Sequence, residues 1–515
     1  MKKLLLFPFF LFCALAYGEQ FRIAEVKYDI TGITKEYALR LAVPIDEERV
    51  FYSFEEFDGY INLIRQELIN QRTLANTELT YSTPETGRDD LILVMVMIRT
   101  KDTWNIFGTP YPKYNSNNGF EFKLKLKDYN FLGLMRTLTF DLNYNYDLDR
   151  ERQGKDPNTI GINFDYVLPF QLHKFDAEWT NYFSLNWAFL DETDRAQPEF
   201  TYTTGVGVTF PLNNSVKLRF SVRHSIRYEY DYKEQGDALY STEYAELALP
   251  LVIGWISEVT PVSFTPNLHF TYNWDKDGIA HPDLQSPTAG PGYSIGAWHI
   301  NWHDNFRKGY AFSFGQNFDW NFDEKKKEAN KQFVPSIRAE FSGFGASKYI
   351  GITERTYFVA YYNNTEDIGG RLRGILDSQR WIGTSMALVV NLDIPVKIVQ
   401  TDWRGWGKWV FQKIFRRERD MPSWFGVFDF ELQVLPFADI ALIHNGATGR
   451  TFSLQDGWYA AGFEVLIFPS RWRSIQGRFS YGIDMGRRFL ADKIDMSWRE
   501  NKPDDEISIG IGLFY

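Results

Sequence analysis

The chain has 515 residues, a formal net charge of −10 and one cysteine, Cys13. The acidic balance argues against nucleic acid as a partner, because a phosphate backbone selects for clustered Lys and Arg. A single thiol excludes an internal disulfide framework and thiolate metal clusters. Aromatic residues make up 17% of the chain, with 29 Tyr and 16 Trp, while the apolar fraction of 44% is ordinary. That pairing suits a membrane barrel, in which lipid-facing residues alternate with polar lumen-facing ones and aromatic girdles mark both interfaces.

Residues 1–18 have the pattern of a secretory signal: Lys2 and Lys3, an apolar run from Leu4 to Leu15, and small residues around Ala16-Tyr17-Gly18 before a cleavage point ahead of Glu19. Cys13 falls inside this segment, so the exported chain is expected to carry no cysteine. Residues 19–102 form a small α/β unit. Phe21 to Ile30 reads as a strand stopped by Thr31-Gly32, and Thr34 to Ala42 as a short helix ended by Pro44. Ser53 and Glu56 make a capping box for a second helix, whose apolar face is Phe57, Tyr60, Ile61, Ile64 and Leu68. Two strands follow, Leu74 to Ser82 and Asp90 to Arg99. The order β-α-α-β-β resembles a POTRA domain, the periplasmic module that receives clients by adding a strand to its sheet edge.

From residue 103 to 515 the chain alternates with period two. Phe120, Phe122, Leu124 and Leu126 share one face, with Glu121, Lys123, Lys125 and Lys127 on the other. Connections near Asn130, Gln171, Asn213 and Asn305 are short, whereas those around 147–158, 229–240, 276–289 and 323–331 are long and charged. Short periplasmic turns and long outer loops are the habit of transmembrane barrels, which places both termini in the periplasm and requires an even strand count. Eighteen alternating segments can be marked if the first is Trp104 to Tyr114. Residues 396–423 break the short-turn rule: Trp403, Trp406 and Trp409 stand among Arg404, Lys408, Lys413, Arg416, Arg417 and Arg419. This reads either as a basic amphipathic helix in the membrane interface or as a brace beneath the barrel. The segment Glu506 to Tyr515 puts Ile507, Ile509, Ile511, Leu513 and Tyr515 on one face and small residues on the other, a strand of membrane-crossing length.

Two sets of residues carry a family resemblance. Ser508, Gly510, Leu513 and Tyr515 have the spacing of the C-terminal signal of bacterial outer-membrane barrels. Gly369-Gly370-Arg371-Leu372-Arg373-Gly374-Ile375, followed by five strand candidates, resembles the sixth-loop motif of the BamA/TamA-like outer-membrane family. Pro395, Phe437-Ala438-Asp439 and Gly462-Phe-Glu464 to Pro469 resemble that family's closing strands. The chain departs from the pattern at Ile375, where an aromatic is usual, and at Asn391, which holds the acidic position four before Pro395.

The resemblance implies a membrane all-β fold: an antiparallel barrel of about 16 strands after one POTRA unit, in the outer membrane. It implies a loop folded into the lumen. An enclosed guanidinium needs planar carboxylate acceptors, so Asp439, Glu464 and Asp484 are the candidate partners of Arg373, and Gly374 would permit the loop's sharp turn. The implied activity is insertion or translocation of other proteins, without catalysis or cofactor. The implied partners are outer-membrane lipid, unfolded clients and accessory periplasmic or lipoprotein factors. A two-partner secretion transporter, a passive pore or adhesin, and a barrel phospholipase using Ser294 are the alternatives. The G-x-S-x-G match at Gly292 to Gly296 lies in an alternating segment rather than a strand-turn-helix elbow. His299 and His303 would stand roughly 13 Å apart on one strand, too far to share a metal ion.

Overall fold

Two kinds of sheet divide the chain into two compact units. The computed structural model describes residues 20–513 apart from 72, 84–90, 117–118, 149–150, 152–155, 190–195, 214–215, 230–237, 258–259, 277–280, 282–283, 374–381, 415, 417–420, 471–474 and 500–504. The expected signal segment 1–18 and the terminal Tyr515 lie outside the described residues.

The first unit runs to Asn105 and takes in a later segment, Tyr129–Met135. Its elements are β1 (Gln20–Thr31), α1 (Glu36–Ala42), β2 (Val50–Phe51), α2 (Phe54–Asn70), β3 (Leu74–Ser82) and β4 (Leu91–Asp102). The sheet order is β2-β1-β4-β3, with β1 and β4 parallel. Ser53 caps α2 by accepting from the Glu56 N–H at 3.1 Å, and the Glu56 carboxylate reaches back to the Tyr52 N–H at 3.0 Å. That fixes where α2 starts. Its face of Phe57, Ile61, Ile64 and Leu68 then buries against Ile23 and Val26 of β1 and Val94, Val96 and Ile98 of β4. Tyr60 lies at the rim of this face, where its hydroxyl accepts from the Asp46 N–H at 2.8 Å. Within the same unit Asn130 is fully buried, its amide donating to Thr34 Oγ1 at 2.7 Å and its carbonyl accepting from the Met135 N–H at 2.9 Å. The Asp102 carboxylate joins this network through Thr34 Oγ1 at 2.6 Å.

The second unit is a closed antiparallel barrel of eighteen strands, from Ile106–Asn115 to Asp505–Leu513. The count corrects the expected sixteen; the eighteen alternating segments in the sequence are the better guide. Two strands are broken midway. Ala238–Ala248 and Leu251–Ser257 both pair with Thr260–Trp274, and Met386–Asp393 and Val396–Gln400 both pair with Phe430–Asn445. Such breaks blur the period-two signal that a strand count depends on. Side chains on the outer face are apolar and open, among them Phe120, Phe122, Leu142, Tyr202 and Phe341. The inner face is polar, with Lys123 paired to Glu121 and His269 Nε2 2.6 Å from Asp319. Among the described residues no helix is long and apolar enough to cross a membrane.

Candidate functional site

The inner face changes character between Gly351 and Pro469. There Tyr357, Val359, Ala387, Val389, Ala441, Ile443, Trp458 and Ala460 are apolar and almost fully buried. Strands with both faces apolar need a cover on each. The cover is the connection after strand Gly351–Tyr361, which supplies Ile368, Leu372 and Ile382 to the same cluster. Its neck is closed by a two-residue ladder, Glu366 opposite Thr384 and Asp367 opposite Gly383. Asp367 Oδ1 accepts from the N–H groups of Gly369 and Ile382 at 2.9 and 2.8 Å, which holds the one-turn 3-10 segment Gly369–Arg371 against the wall.

The turn delivers Arg373 to a cluster of carboxylates. Its Nε and Nη2 donate to the two oxygens of Asp439 at 2.9 and 2.6 Å, and its backbone N–H adds a third bond at 2.9 Å. Nη2 is also 2.7 Å from Asp393 Oδ1, and Nη1 is 3.7 Å from Glu464 Oε1. The guanidinium lies over the Phe437 ring at 4.1 Å. Asp439 has no exposed surface, so its charge is tolerable only because the planar fork of Arg373 pairs with both oxygens. Arg355 pairs with Asp393 at 3.2 Å and Arg478 with Glu464, which spreads the remaining charge. A cavity of about 230 Å³ adjoins the cluster, lined in part by Arg355, Gln433 and Arg478.

The candidate partners therefore divide. Asp439 is the bidentate acceptor, and Glu464 is a more distant neighbour shared with Arg478. Asp484 stands apart. The register sets both Asp439 and Asp484 opposite Ala460, so two strand spacings, roughly 10 Å, separate them. Its carboxylate instead caps the short helix Met485–Phe489 by accepting from the Arg487 N–H at 2.9 Å. Asp393, which the sequence reading missed, takes the vacant role. Asp393 lies on the same strand face as Asn391, two residues nearer Pro395. Asn391 itself donates to the Arg371 carbonyl at 2.9 Å and so anchors the loop. Gly370 and Arg371 complete the turn, with the Arg371 guanidinium over Tyr357 at 3.3 Å. Gly374 lies outside the described residues.

The basic segment forms a helix, Trp403–Ile414, followed by a 3-10 turn, Ser423–Phe428. Trp403 donates from Nε1 to the Phe428 carbonyl at 3.0 Å, and Gly407 is buried. Trp406 and Trp409 remain exposed, as do Ile414 and Trp424, with the Lys413 ammonium 4.9 Å from the Trp409 ring.

The last strand is held unequally on its two sides. It pairs with Ile475–Asp484 from Asp505 through Leu513. Among the described residues its ladder with the first strand is Ser508–Asn115, Ile509–Tyr114 and Gly510–Lys113, with the Ser116 N–H adding a bond to the Ile507 carbonyl at 3.2 Å. Ser508, Gly510 and Leu513 of the C-terminal signal thus sit on the strand that forms the seam.

Solved structures resemble this fold. CdiB from Escherichia coli superposes with a TM-score of 0.51 over 96% of this chain and 76% of its own, at 11% identity. The likeness is one of fold: a closed antiparallel β-barrel preceded by a small α/β unit. CdiB from Acinetobacter baumannii matches at 0.48 with 12% identity over 96% of this chain and 74% of that one. BamA from Haemophilus ducreyi lacking POTRA domains 1-3 matches at 0.40 with 12% identity over 95% and 84%. No family model matches the chain, and no curated protein matches it by sequence.

Proposed function

We propose that this chain is an outer-membrane protein that inserts or translocates other proteins, with the first unit acting as a POTRA-like periplasmic receiver. The observation that carries the reading is the seam, whose ladder among the described residues has three residue pairs, in a barrel whose other strands are paired along most of their length. A passive pore gains nothing from a weak closure, whereas a barrel that admits a client strand sideways requires one. In this reading the Arg373–Asp439 pair holds the loop inside the lumen and keeps the wall from Gly351 to Pro469 rigid while the seam opens. The apolar outer face contacts lipid, and the helix Trp403–Ile414 lies at the periplasmic interface, with its exposed Trp side chains among headgroups. The chain carries out no chemistry on its client. The G-x-S-x-G serine, Ser294, sits inside strand Thr288–His303 with Thr265 and Gly315 opposite it, an environment without a neighbouring base in the ladder.

Depletion of the chain followed by quantitative proteomics of the outer membrane tests the proposal. Loss of many barrel proteins supports general insertion, and loss of one exported protein supports dedicated secretion. An unchanged outer membrane refutes protein handling and returns the pore reading.

A further inference from the structure

In a chain of net charge −10, residues 402–420 hold six Lys and Arg against three Asp and Glu. The described part of this basic island folds so that its rings and cations point outward. One side of the helix Trp403–Ile414 is committed to the segment that follows it. Gly407 is buried there, and a Cβ at that position would stand 2.9 Å from Met421 Sδ. The Trp403 indole closes the same side on the Phe428 carbonyl. Asp402 and Asp429 are engaged at the helix start, where they accept from the Gly405 and Trp403 N–H groups at 2.8 and 2.7 Å.

The other side is open. Residues three and four apart share a helix side, so Trp406, Trp409 and Lys413 lie together, away from Gly407. Trp406 and Trp409 are 60% and 51% exposed, and Trp424 and Phe428 of the following turn are 56% and 63% exposed. A brace packed beneath the barrel would bury these rings. The patch continues onto the barrel, because the strand Val396–Gln400 that leads into the helix carries an exposed Ile398. Its Lys397 N–H donates to the Tyr349 carbonyl at 2.7 Å, and Tyr349 and Ile350 are exposed beside it. Lys348 lies 5.2 Å from the Tyr349 ring and Lys413 lies 4.9 Å from the Trp409 ring. Two ammonium groups are thus held at the faces of open rings, and Arg416 is exposed just past the helix.

Open tryptophans flanked by Lys and Arg match the headgroup layer of a bilayer, where rings sit at the acyl margin and cations reach phosphates. By strand parity this connection lies at the end of the barrel where the first strand begins. We propose that the helix Trp403–Ile414 and the turn Ser423–Phe428 bind anionic phospholipid headgroups of the periplasmic leaflet, with Lys413 and Arg416 on the phosphates. The assignment rests on the reading that this end of the barrel faces the periplasm. The helix joins a broken strand to Phe430–Asn445 at the foot of the wall that Arg373 stiffens, so headgroup binding sets the depth of that sector.

Lipid capture in isolated outer membranes tests it, since phospholipid and glycolipid there lie in opposite leaflets. A photo-reactive residue replacing Ile414 in the full-length chain reports, by the mass of its adduct, what lies against the helix. The expected adducts are phospholipids, with phosphatidylglycerol captured at least about fivefold above its share of the leaflet, the factor for one engaged cation. Lys413→Gln with Arg416→Gln should return capture to that share, as should high salt. Lys325→Gln with Lys327→Gln, in a loop at the opposite end, should change nothing. The heat-shifted gel band of the closed barrel separates lost capture from lost folding in both variants. Phospholipid capture in plain proportion to abundance would overturn headgroup selection. Glycolipid adducts would put the helix in the other leaflet, protein adducts would make it a docking face, and absence of lipid adducts would take it out of the membrane. Each of these also overturns the proposal. None bears on the protein-handling reading, which the depletion experiment decides separately.

Discussion

The wall from Gly351 to Pro469 and the seam between the last and first strands are written in the same alternating pattern, yet they are closed by opposite means. The wall adds a second layer: an inward loop, a buried apolar cluster and an arginine locked to buried carboxylates. The seam subtracts, with Pro110 and Pro112 on the first strand and Gly510 on the last, and among the described residues its ladder keeps three pairs. Strand pairing in a barrel is therefore a local choice of residues, and one ring of strands can hold a rigid sector and a yielding one.

The largest effect that would break this contrast is loss of the lock. Asp439→Ala leaves the Arg373 guanidinium enclosed without its bidentate acceptor, and breaking a buried pair from one side costs about 3–5 kcal/mol. The variant should lose resistance to heat unfolding in detergent, read as a lower gel-shift temperature, and the loop around Arg373 should become open to trypsin. An unchanged shift temperature would mean that the apolar cluster alone holds the wall. Arg373→Lys should fall between the two, since an ammonium cannot span both Asp439 oxygens.

Much of this was legible from residue order. The loop motif marked Arg373, and the need for a planar acceptor on a closing strand narrowed its partners to Asp439, Glu464 and Asp484, of which the structure pairs the first bidentately. The first unit's helix face was readable because its period of 3.6 is set by burial on one side. Other features depend on relations between distant segments. Asp393 became a partner through the depth to which the loop descends, and Asp484 was lost to a helix cap that its own strand face did not announce. Asn130 looked like an ordinary turn residue, and its burial with Thr34 joins positions 96 apart in sequence. The three-pair seam joins the two ends of the barrel sheet, and no local pattern shows where such a ladder stops.

Two glycines give a smaller, matched comparison. A Cβ at Gly462 in the wall would stand 2.0 Å from the Tyr481 carbonyl oxygen and 2.8 Å from the Phe437 ring, beneath the Arg373 guanidinium. Gly462→Ala should then cost about 1–3 kcal/mol, the usual penalty for overpacking. At Gly510 the nearest atoms are 3.5 Å away, so the same change fits. Gly510→Ala should be neutral or stabilise the last strand by about 0.5–1 kcal/mol, as Ala has less conformational freedom to lose. Detergent melting curves of the two variants check both signs. Equal losses would mean the seam is packed as tightly as the wall.

The smallest predicted effect tests whether wall and seam are tied together at their outer ends. Arg450, in the connection after strand Phe430–Asn445, pairs with Asp456 and reaches Asp495 at 3.0 Å. Asp495 belongs to the connection leading into the last strand, so this cluster links the rigid sector to the yielding one. The Arg450 hydrogen bond holds the Asp456 carboxyl below the ordinary aspartate value of 3.8, and bonds from Ser497 do the same for Asp495. A carboxylate whose folded pKa is depressed contributes stability above its unfolded pKa and loses it as pH falls through the folded one. The link should therefore persist at pH 5 and fail below about pH 3.8, freeing the segment before the last strand. Pepsin digestion across that range should show cleavage between 485 and 499 appearing first. Asp456→Asn should bring that cleavage on already at pH 5; a variant with the native pH profile would show that wall and seam are independent at their outer ends.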